Sequence, residues 1–237
     1  MEITLCHLYP YSMNIYGDTG NMRTLEYRLV ARGFKVNVLK ADIGDKISHE
    51  VDIIVAGGGQ DSGQLHVKSD LHKRKKEILS LHDDGVVFLT ICGTYQLLGH
   101  RFTTHSGDDI TGLGVFNLQT KGSSERLIGN IVVDSPFGTL VGFENHSGLT
   151  YLDDDQQPLG KVLKGAGNNG QTGDEGAISK NAFGTYLHGP ILPKNPKLAD
   201  ELIRRALKRK YGFSDELVEL DDREENKAAA IALELPR

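Results

Sequence analysis

Four short apolar runs, Ile3–Leu8, Phe34–Leu39, Val51–Ala56 and Val86–Ile91, punctuate the first hundred residues. Each is rich in β-branched side chains and is followed by glycine or polar residues. Runs of this length read as strands buried on both faces, the habit of a parallel sheet. Between them the apolar period lengthens. Leu25, Leu29 and Val30 form a stripe on a helix that Asp18 or Thr19 caps and Gly33 ends. A second helical pattern spans about Gln64 to His82, and Asp83-Asp84-Gly85 turns it into the fourth run. Strands alternating with helices predict an α/β protein with a doubly wound, mainly parallel sheet flanked by helices.

Beyond Gly99 the texture changes. Leu113–Leu118, Leu127–Val133, Leu140–Phe143, Lys161–Leu163 and Gly176–Ser179 read as short, mostly antiparallel strands added to one edge or face of the sheet. Between them lie a polar, turn-prone stretch, Glu144–Gly148, and a glycine-rich stretch, Gly165–Gly176, that reads as a flexible loop. Ala182–Leu187 forms a last strand ending on His188-Gly189-Pro190. Pro196 opens a helix that carries Leu198, Leu202, Ile203 and Leu207 on one side and stops at Gly212. The helix-prone end has little to pack on locally. The expected organisation is one domain over residues 1–212 and a helical tail over 213–237, docked on that domain or on another chain.

Composition narrows the function classes. At 237 residues, 38% of them hydrophobic, the chain can bury one good core. A formal net charge of −5 offers no global attraction to nucleic acid or to anionic membrane. The one basic cluster, His72–Lys76, reads as a solvated helix face, with partner docking as the lesser reading. Two cysteines make no disulfide framework. The N-terminus lacks a charged region and a long apolar run, and no stretch approaches the length of a membrane span, so a cytoplasmic protein is expected.

The chemistry concentrates in Gly85–Gly99, GVVFLTICGTYQLLG. A buried strand runs into Cys92-Gly93, and Tyr95, Leu97 and Leu98 then suit a short helix. Strand, sharp turn with a nucleophile-type residue, helix is the layout of a nucleophile elbow, with cysteine in place of serine. A thiol at a helix start feels the positive end of the peptide dipoles, which favours thiolate. The amide that follows it is free to face an oxyanion. The plain alternative is a buried core cysteine. Gly57-Gly58-Gly59 follows the third strand, where α/β sheets place their sites. It is a phosphate cradle, an oxyanion donor facing Cys92, or a tight turn. The Gln60-Asp61-Ser62 continuation argues against a P-loop. Among nine histidines, His188 has the best context, at a strand end on the same sheet edge as Cys92, and His146 comes second.

Cys92–Gln96, the Gly57–Gly59 loop and Tyr186-Leu187-His188-Gly189-Pro190 resemble a class I glutamine amidotransferase domain. Asn14-Ile15-Tyr16-Gly17-Asp18-Thr19-Gly20-Asn21 resembles the early signature of its cobyric-acid-synthase type. With no synthetase domain in the sequence, the chain is similar to the stand-alone glutaminase subunits of that type, over about residues 3–212. The resemblance implies that Cys92 attacks the side-chain amide of glutamine and that His188 is the base. It implies that amides of Gly58, Gly59 and Gly93 hold the oxyanion. Arg126 would hold the α-carboxylate, a task that suits a guanidinium fork, with Asn145 and His146 lining the pocket. Without the resemblance, Arg126 reads as a surface arginine at a strand start. The implied partner is a MurT-like protein of the Mur ligase family, in a heterodimer. It would bind ATP and Mg and use the ammonia to amidate the D-glutamate α-carboxyl of lipid II. No cofactor is expected in this chain itself.

Two residues depart from the pattern. The broader class ends H-x-E, with the Glu orienting the base, whereas the third position here is Pro190. An Asp or Glu elsewhere in this chain is one remedy; the one the resemblance favours is an acidic residue from the partner. Thr94 stands where relatives of this type often carry Gly. Three alternatives remain at this stage: a glutaminase feeding another amidation such as a corrinoid-type one, a non-catalytic scaffold subunit, and a cysteine hydrolase of other amides.

Overall fold

In the computed structural model, which describes residues 1–236, the four apolar runs become neighbouring strands. The first half of the chain forms β1 (Glu2–Leu8), α1 (Thr19–Ala31), β2 (Lys35–Ala41), β3 (Ile53–Ala56), α2 (Asp61–Lys73), α3 (Lys75–Asp83), β4 (Val87–Ile91) and α4 (Gly93–Leu97). The second half forms β5 (Arg101–Thr103), β6 (Asp109–Thr111), β7 (Leu118–Ser135), β8 (Gly138–Leu152), β9 (Gly160–Lys164), β10 (Asp174–Glu175), β11 (Ala177–Ser179), β12 (Ala182–Thr185), α5 (Pro196–Tyr211) and α6 (Arg223–Glu234). The first sheet has the order β11-β12-β4-β3-β1-β2, parallel throughout except for the antiparallel edge strand β11. The strand order reverses between β1 and β3, the switch point where such sheets bind ligands beyond their strand ends.

Every residue of β3 and β4 is buried. Leu71 of α2 and Ile78 of α3 meet Ile54 and Phe88, while α1 and α5 pack together and reach β1, β3 and β4. The helical pattern of residues 64–82 is two helices rather than one. Its break falls at Arg74, which folds back to bind Asp70 (Nε to Oδ2, 2.5 Å) and is buried. The basic cluster is therefore a solvated face only in part: Lys73 and Lys76 are exposed, but Arg74 is structural.

The later strands differ from the expected edge additions. Of the strands after β4, β11 and β12 join the first sheet. The others, β5 to β10, form a second sheet in which β7 and β8 make a long antiparallel hairpin. The expected strand Leu113–Leu118 is irregular up to Asn117, because the amides of Leu113, Val115 and Phe116 bond the carbonyls of Leu97 and Leu98 at the end of α4 instead of a neighbouring strand. Glu144–Gly148 is not a turn but the middle of β8. Its alternation was hidden because two of the inward residues, Glu144 and His146, are polar. The Glu144 carboxylate accepts the amides of Ala166 and Gly167 at 2.8 and 2.9 Å, and His146 bonds the carbonyl of Gly148 through Nδ1. Those same bonds fix the start of the Gly165–Gly176 stretch. The Asn169 side chain, whose Oδ1 accepts the amides of Gln171 and Thr172, closes its turn, so this segment is knitted rather than loose.

The tail docks on its own domain. The Arg28 side chain of α1, 1% exposed, forms paired bonds to Asp200 of α5 (2.7 and 2.7 Å) and to Asp222 at the start of the tail helix (2.6 and 3.0 Å). Asn130 of β7 donates to the carbonyl of Pro236. Residue 237, the last of the expected tail, lies outside the described residues. Arg28→Ala leaves Asp222 without its cation and Asp200 with Arg32 alone (2.8 Å). It is expected to cost about 3 kcal/mol in denaturant unfolding, the scale for breaking a buried pair, and to release residues 213–236 to proteolysis. No helix among the described residues is long and apolar enough to cross a membrane.

Candidate active site

β4 delivers Cys92 at the carboxyl edge of the first sheet. Its backbone, φ 52° and ψ −103°, turns sharply into α4. A non-glycine residue held there is strained, and such strain gathers at functional sites. The turn is pinned from three sides. The Cys92 amide donates to the carbonyl of Thr185 (2.8 Å) and its carbonyl accepts the Gln96 amide (2.9 Å). The Thr94 hydroxyl donates to the carbonyl of Ala56 (2.8 Å) and accepts the Ile91 amide (3.2 Å). Thr94, the departure noted in sequence, thus ties the elbow to the end of β3.

Gly58 separates nucleophile from base. A Cβ added there would lie 3.1 Å from Cε1 of His188, 3.4 Å from Cβ of Cys92 and 3.5 Å from Cδ2 of Tyr16, so a side chain would press the His188 ring away from Cys92 by a few tenths of an ångström. His188 follows β12 and is held by backbone bonds to Phe143 of β8 (2.8 and 3.3 Å). Its ring packs on Tyr16, centroids 4.1 Å apart. Neither ring nitrogen has a hydrogen-bond partner among the described residues. Pro190 packs on Gly20 instead of offering a carboxylate.

Both reacting groups rest uncharged. Burial pushes the Cys92 thiol up to about 12, Asp18 adds to this, and the Gly93 amide opposes it. The thiolate expected from the helix start is not the resting state, because desolvation outweighs the dipole of a five-residue helix. Burial, then the neighbouring His146 and Arg126, lower His188 to about 3. A neutral imidazole beside a neutral thiol is a base waiting for its proton, not an ion pair.

The site opens into a cleft of about 270 Å³. Cys92, Tyr16, Gly59, Gln96, Asn145 and His146 contribute to its wall, and Arg126 stands at its rim. Arg126 lies at the irregularity of β7 between Gly122 and Leu127, exposed and without a carboxylate partner among the described residues. It is mid-strand, not at a strand start. The Asn145 Oδ1 and His146 Nε2 atoms are buried and unpartnered there. The Gly58 amide is committed to the Asp18 carboxylate (2.8 Å). The Gly59 amide, near the Cα of Gly93, and the Gly93 amide, on the thiol, remain for an oxyanion.

Several residues escaped the sequence reading. Gln96 lies four residues after Cys92, one helical turn on. Its side chain joins Gln64 (2.7 Å) to the Tyr186 hydroxyl (2.9 Å), and His146 stacks on Tyr186 at 3.6 Å. Glu175, fully buried, accepts the Thr185 hydroxyl and the Tyr186 amide, both at 2.7 Å, and so fixes the turn that leads to His188. Burial raises Glu175 to about 7. A carboxyl raised on folding contributes stability below its unfolded value, near pH 4.5, and loses it as pH rises through 7. Glu175→Gln removes that loss. Its stability relative to the parent is expected to rise between pH 5 and pH 8 by roughly 3 kcal/mol, read from denaturant midpoints at both values.

A cysteine on a strained elbow, a histidine across a bare glycine and the Gly93 amide on the thiol form an arrangement suited to cysteine-dependent amide hydrolysis. Residues 4–196 match the CobB/CobQ-like glutamine amidotransferase domain, and the chain belongs to that family. It is 41% identical over 235 residues to the lipid II isoglutaminyl synthase (glutamine-hydrolyzing) subunit GatD of Staphylococcus aureus, covering 98% of this chain and 96% of the relative. It is 43% identical over 226 residues to the subunit of the same name from Streptococcus pneumoniae, covering 93% and 86%. A probable cobyric acid synthase of Methanocaldococcus jannaschii is 30% identical over 172 residues, which is 67% of this chain but 34% of that protein. The fold is that of the class I glutamine amidotransferases. A glutamine amidotransferase of Thermotoga maritima has a TM-score of 0.52 at 14% identity, covering 97% of this chain and 93% of that one.

Proposed function

We propose that this chain is the glutamine-hydrolysing subunit of a lipid II isoglutaminyl synthase. The observation that carries this reading is the match to the GatD subunits, which runs nearly end to end on both proteins. The corrinoid-type alternative is less favoured, because the chain spans only a third of that relative.

In the proposed reaction the Cys92 Sγ attacks the side-chain amide carbon of glutamine as its proton passes to His188. Amides of Gly59 and Gly93 take the oxyanion. His188 returns the proton to the leaving nitrogen, and ammonia departs from a γ-glutamyl thioester. Water, deprotonated by His188, then attacks the thioester. Glutamate leaves and the proton restores the thiol. The Arg126 fork pairs with the α-carboxylate, and Asn145 and His146 complete the pocket wall.

The ammonia goes to a MurT-like Mur ligase-family partner, which binds ATP and Mg and amidates the D-glutamate α-carboxyl of lipid II. The complex works in the cytoplasm, at the inner face of the membrane. Because His188 meets no carboxylate of its own chain among the described residues, the orienting acid comes from the partner. Adding the partner is expected to raise glutamate release at least about tenfold, since misorienting a catalytic histidine costs up to about 10⁴. Changing the partner's acidic residues one at a time to their amides identifies the group. No loss from any of these changes contradicts a donated acid.

A further inference from the structure

The sequence signature Asn14–Asn21 has so far served only as a mark of resemblance, yet its atoms surround the reacting groups. The Ile15 amide donates to the Gly58 carbonyl at 3.2 Å, and Oδ2 of Asp18 accepts the Gly58 amide at 2.8 Å. One loop therefore holds both polar groups of the glycine that separates Cys92 from His188. The fit is close. A Cβ on Gly57 would lie 2.5 Å from Oδ2 of Asp18 and 2.4 Å from the Met13 carbonyl. Asn14 closes the loop by accepting the Thr19 amide at 2.9 Å. At its far end, Asn21 accepts the Leu192 amide at 3.0 Å, just past the segment that carries His188.

Asp18 is 0% exposed and its second oxygen, Oδ1, is buried without a partner. It caps no helix with its side chain, although it stands at the start of α1. A buried carboxylate with one bond is a costly way to satisfy a single amide. The cost is understandable if what it fixes is the Gly57–Gly58 peptide, the entry to the oxyanion loop. Asp18, on the Gly58 amide, holds the Gly57–Gly58 peptide, and the Ile15 amide, on the Gly58 carbonyl, holds the Gly58–Gly59 peptide that carries the Gly59 amide beside Gly93. A preorganised donor needs no rearrangement as charge develops.

We propose that Asp18 is a positioning residue for glutamine hydrolysis: by accepting the Gly58 amide it fixes the oxyanion loop of Gly58-Gly59 against Cys92. It touches neither substrate nor reacting atoms. The inference rests on the glutaminase reading and sharpens one part of it.

The experiment uses the full chain with its partner ligase and follows glutamate release over a range of glutamine. Asp18→Asn keeps an acceptor oxygen; Asp18→Ala and the nearly isosteric Asp18→Leu do not. Asp18→Asn is expected to stay within about threefold of the parent in kcat. The other two are expected to fall about 10²-fold in kcat with KM within threefold, the scale for one oxyanion donor. Thermal melts accompany each variant. A parent without glutaminase activity sinks the functional reading itself. An active parent with Asp18→Ala or Asp18→Leu equally active, or with the loss in KM alone, overturns the positioning role. So does failure of both acceptor-less variants to fold, which would make Asp18 a folding residue.

Discussion

Cys92→Ala is expected to stop glutamine hydrolysis altogether, with or without the partner, in a protein that still folds. In the proposed reaction its sulfur bonds to substrate; the second cysteine, Cys6, is buried within β1, and the serines of the cleft, Ser62 and Ser147, are not on the elbow. Removing a nucleophile of this kind costs about 10⁶ in rate, far more than any single supporting contact. The fold should survive, because the elbow is held by backbone bonds to Thr185 and Gln96 and by the Thr94 hydroxyl, none of which uses the Cys92 side chain. An electrophilic glutamine analogue should label the parent at Cys92 and leave the variant unlabelled in a mass spectrum. Residual hydrolysis above a thousandth of the parent rate would place the nucleophile elsewhere.

Arg126→Ala carries the second large effect, and a different signature. Its guanidinium stands exposed at the rim of the cleft with no carboxylate partner among the described residues, so a ligand carboxylate has no competitor for it. A charge-assisted, two-point bond is worth about 3 kcal/mol, so kcat/KM for glutamine is expected to fall about 10²-fold. The loss should sit mainly in KM, because the contact is made before and during the chemical step alike. Arg126→Lys keeps the charge without the fork and should recover only part of the loss. The pH profile offers a second reading. Arg126 helps keep His188 neutral and mildly favours the thiolate of Cys92, so its removal should raise both groups. A large fall in kcat with KM unchanged would assign Arg126 to the chemistry rather than to binding.

How much of this was legible from the residues follows from where apolar periodicity is informative. The middle of the first sheet was readable because β1, β3 and β4 are buried and largely apolar; β2, at the edge, is mostly exposed and interleaved with Lys35, Asn37 and Lys40. The elbow was readable because a strand, a cysteine and a glycine fall in sequence order. The β7–β8 hairpin was not, since inward positions such as Glu144, His146 and Thr150 are polar, and Glu144 and Thr150 find their partners far along the chain. The break at Arg74 was hidden for a similar reason: a basic cluster looks solvated until one member finds a buried acid. At the site, Cys92 and His188 announced themselves by position. The state of the pair did not, because burial, which no local pattern reports, outweighs the helix dipole that suggested a thiolate. Gly58 was named for the oxyanion, but its amide is spent on Asp18, a residue forty positions earlier. Long-range hydrogen bonds of this sort leave no mark in sequence spacing.

The central claim is that ammonia freed at Cys92 becomes the amide nitrogen placed on lipid II by the partner. The direct measurement supplies the complex with glutamine labelled with nitrogen-15 at the side-chain amide, together with ATP, Mg and lipid II, and weighs the stem peptide afterwards. The parent complex should place the label in D-isoglutamine. The Cys92→Ala complex should place none from glutamine yet resume amidation when ammonium chloride is added. Label transferred by the Cys92→Ala complex, or amidated lipid II from the parent that carries no glutamine nitrogen, would contradict the account.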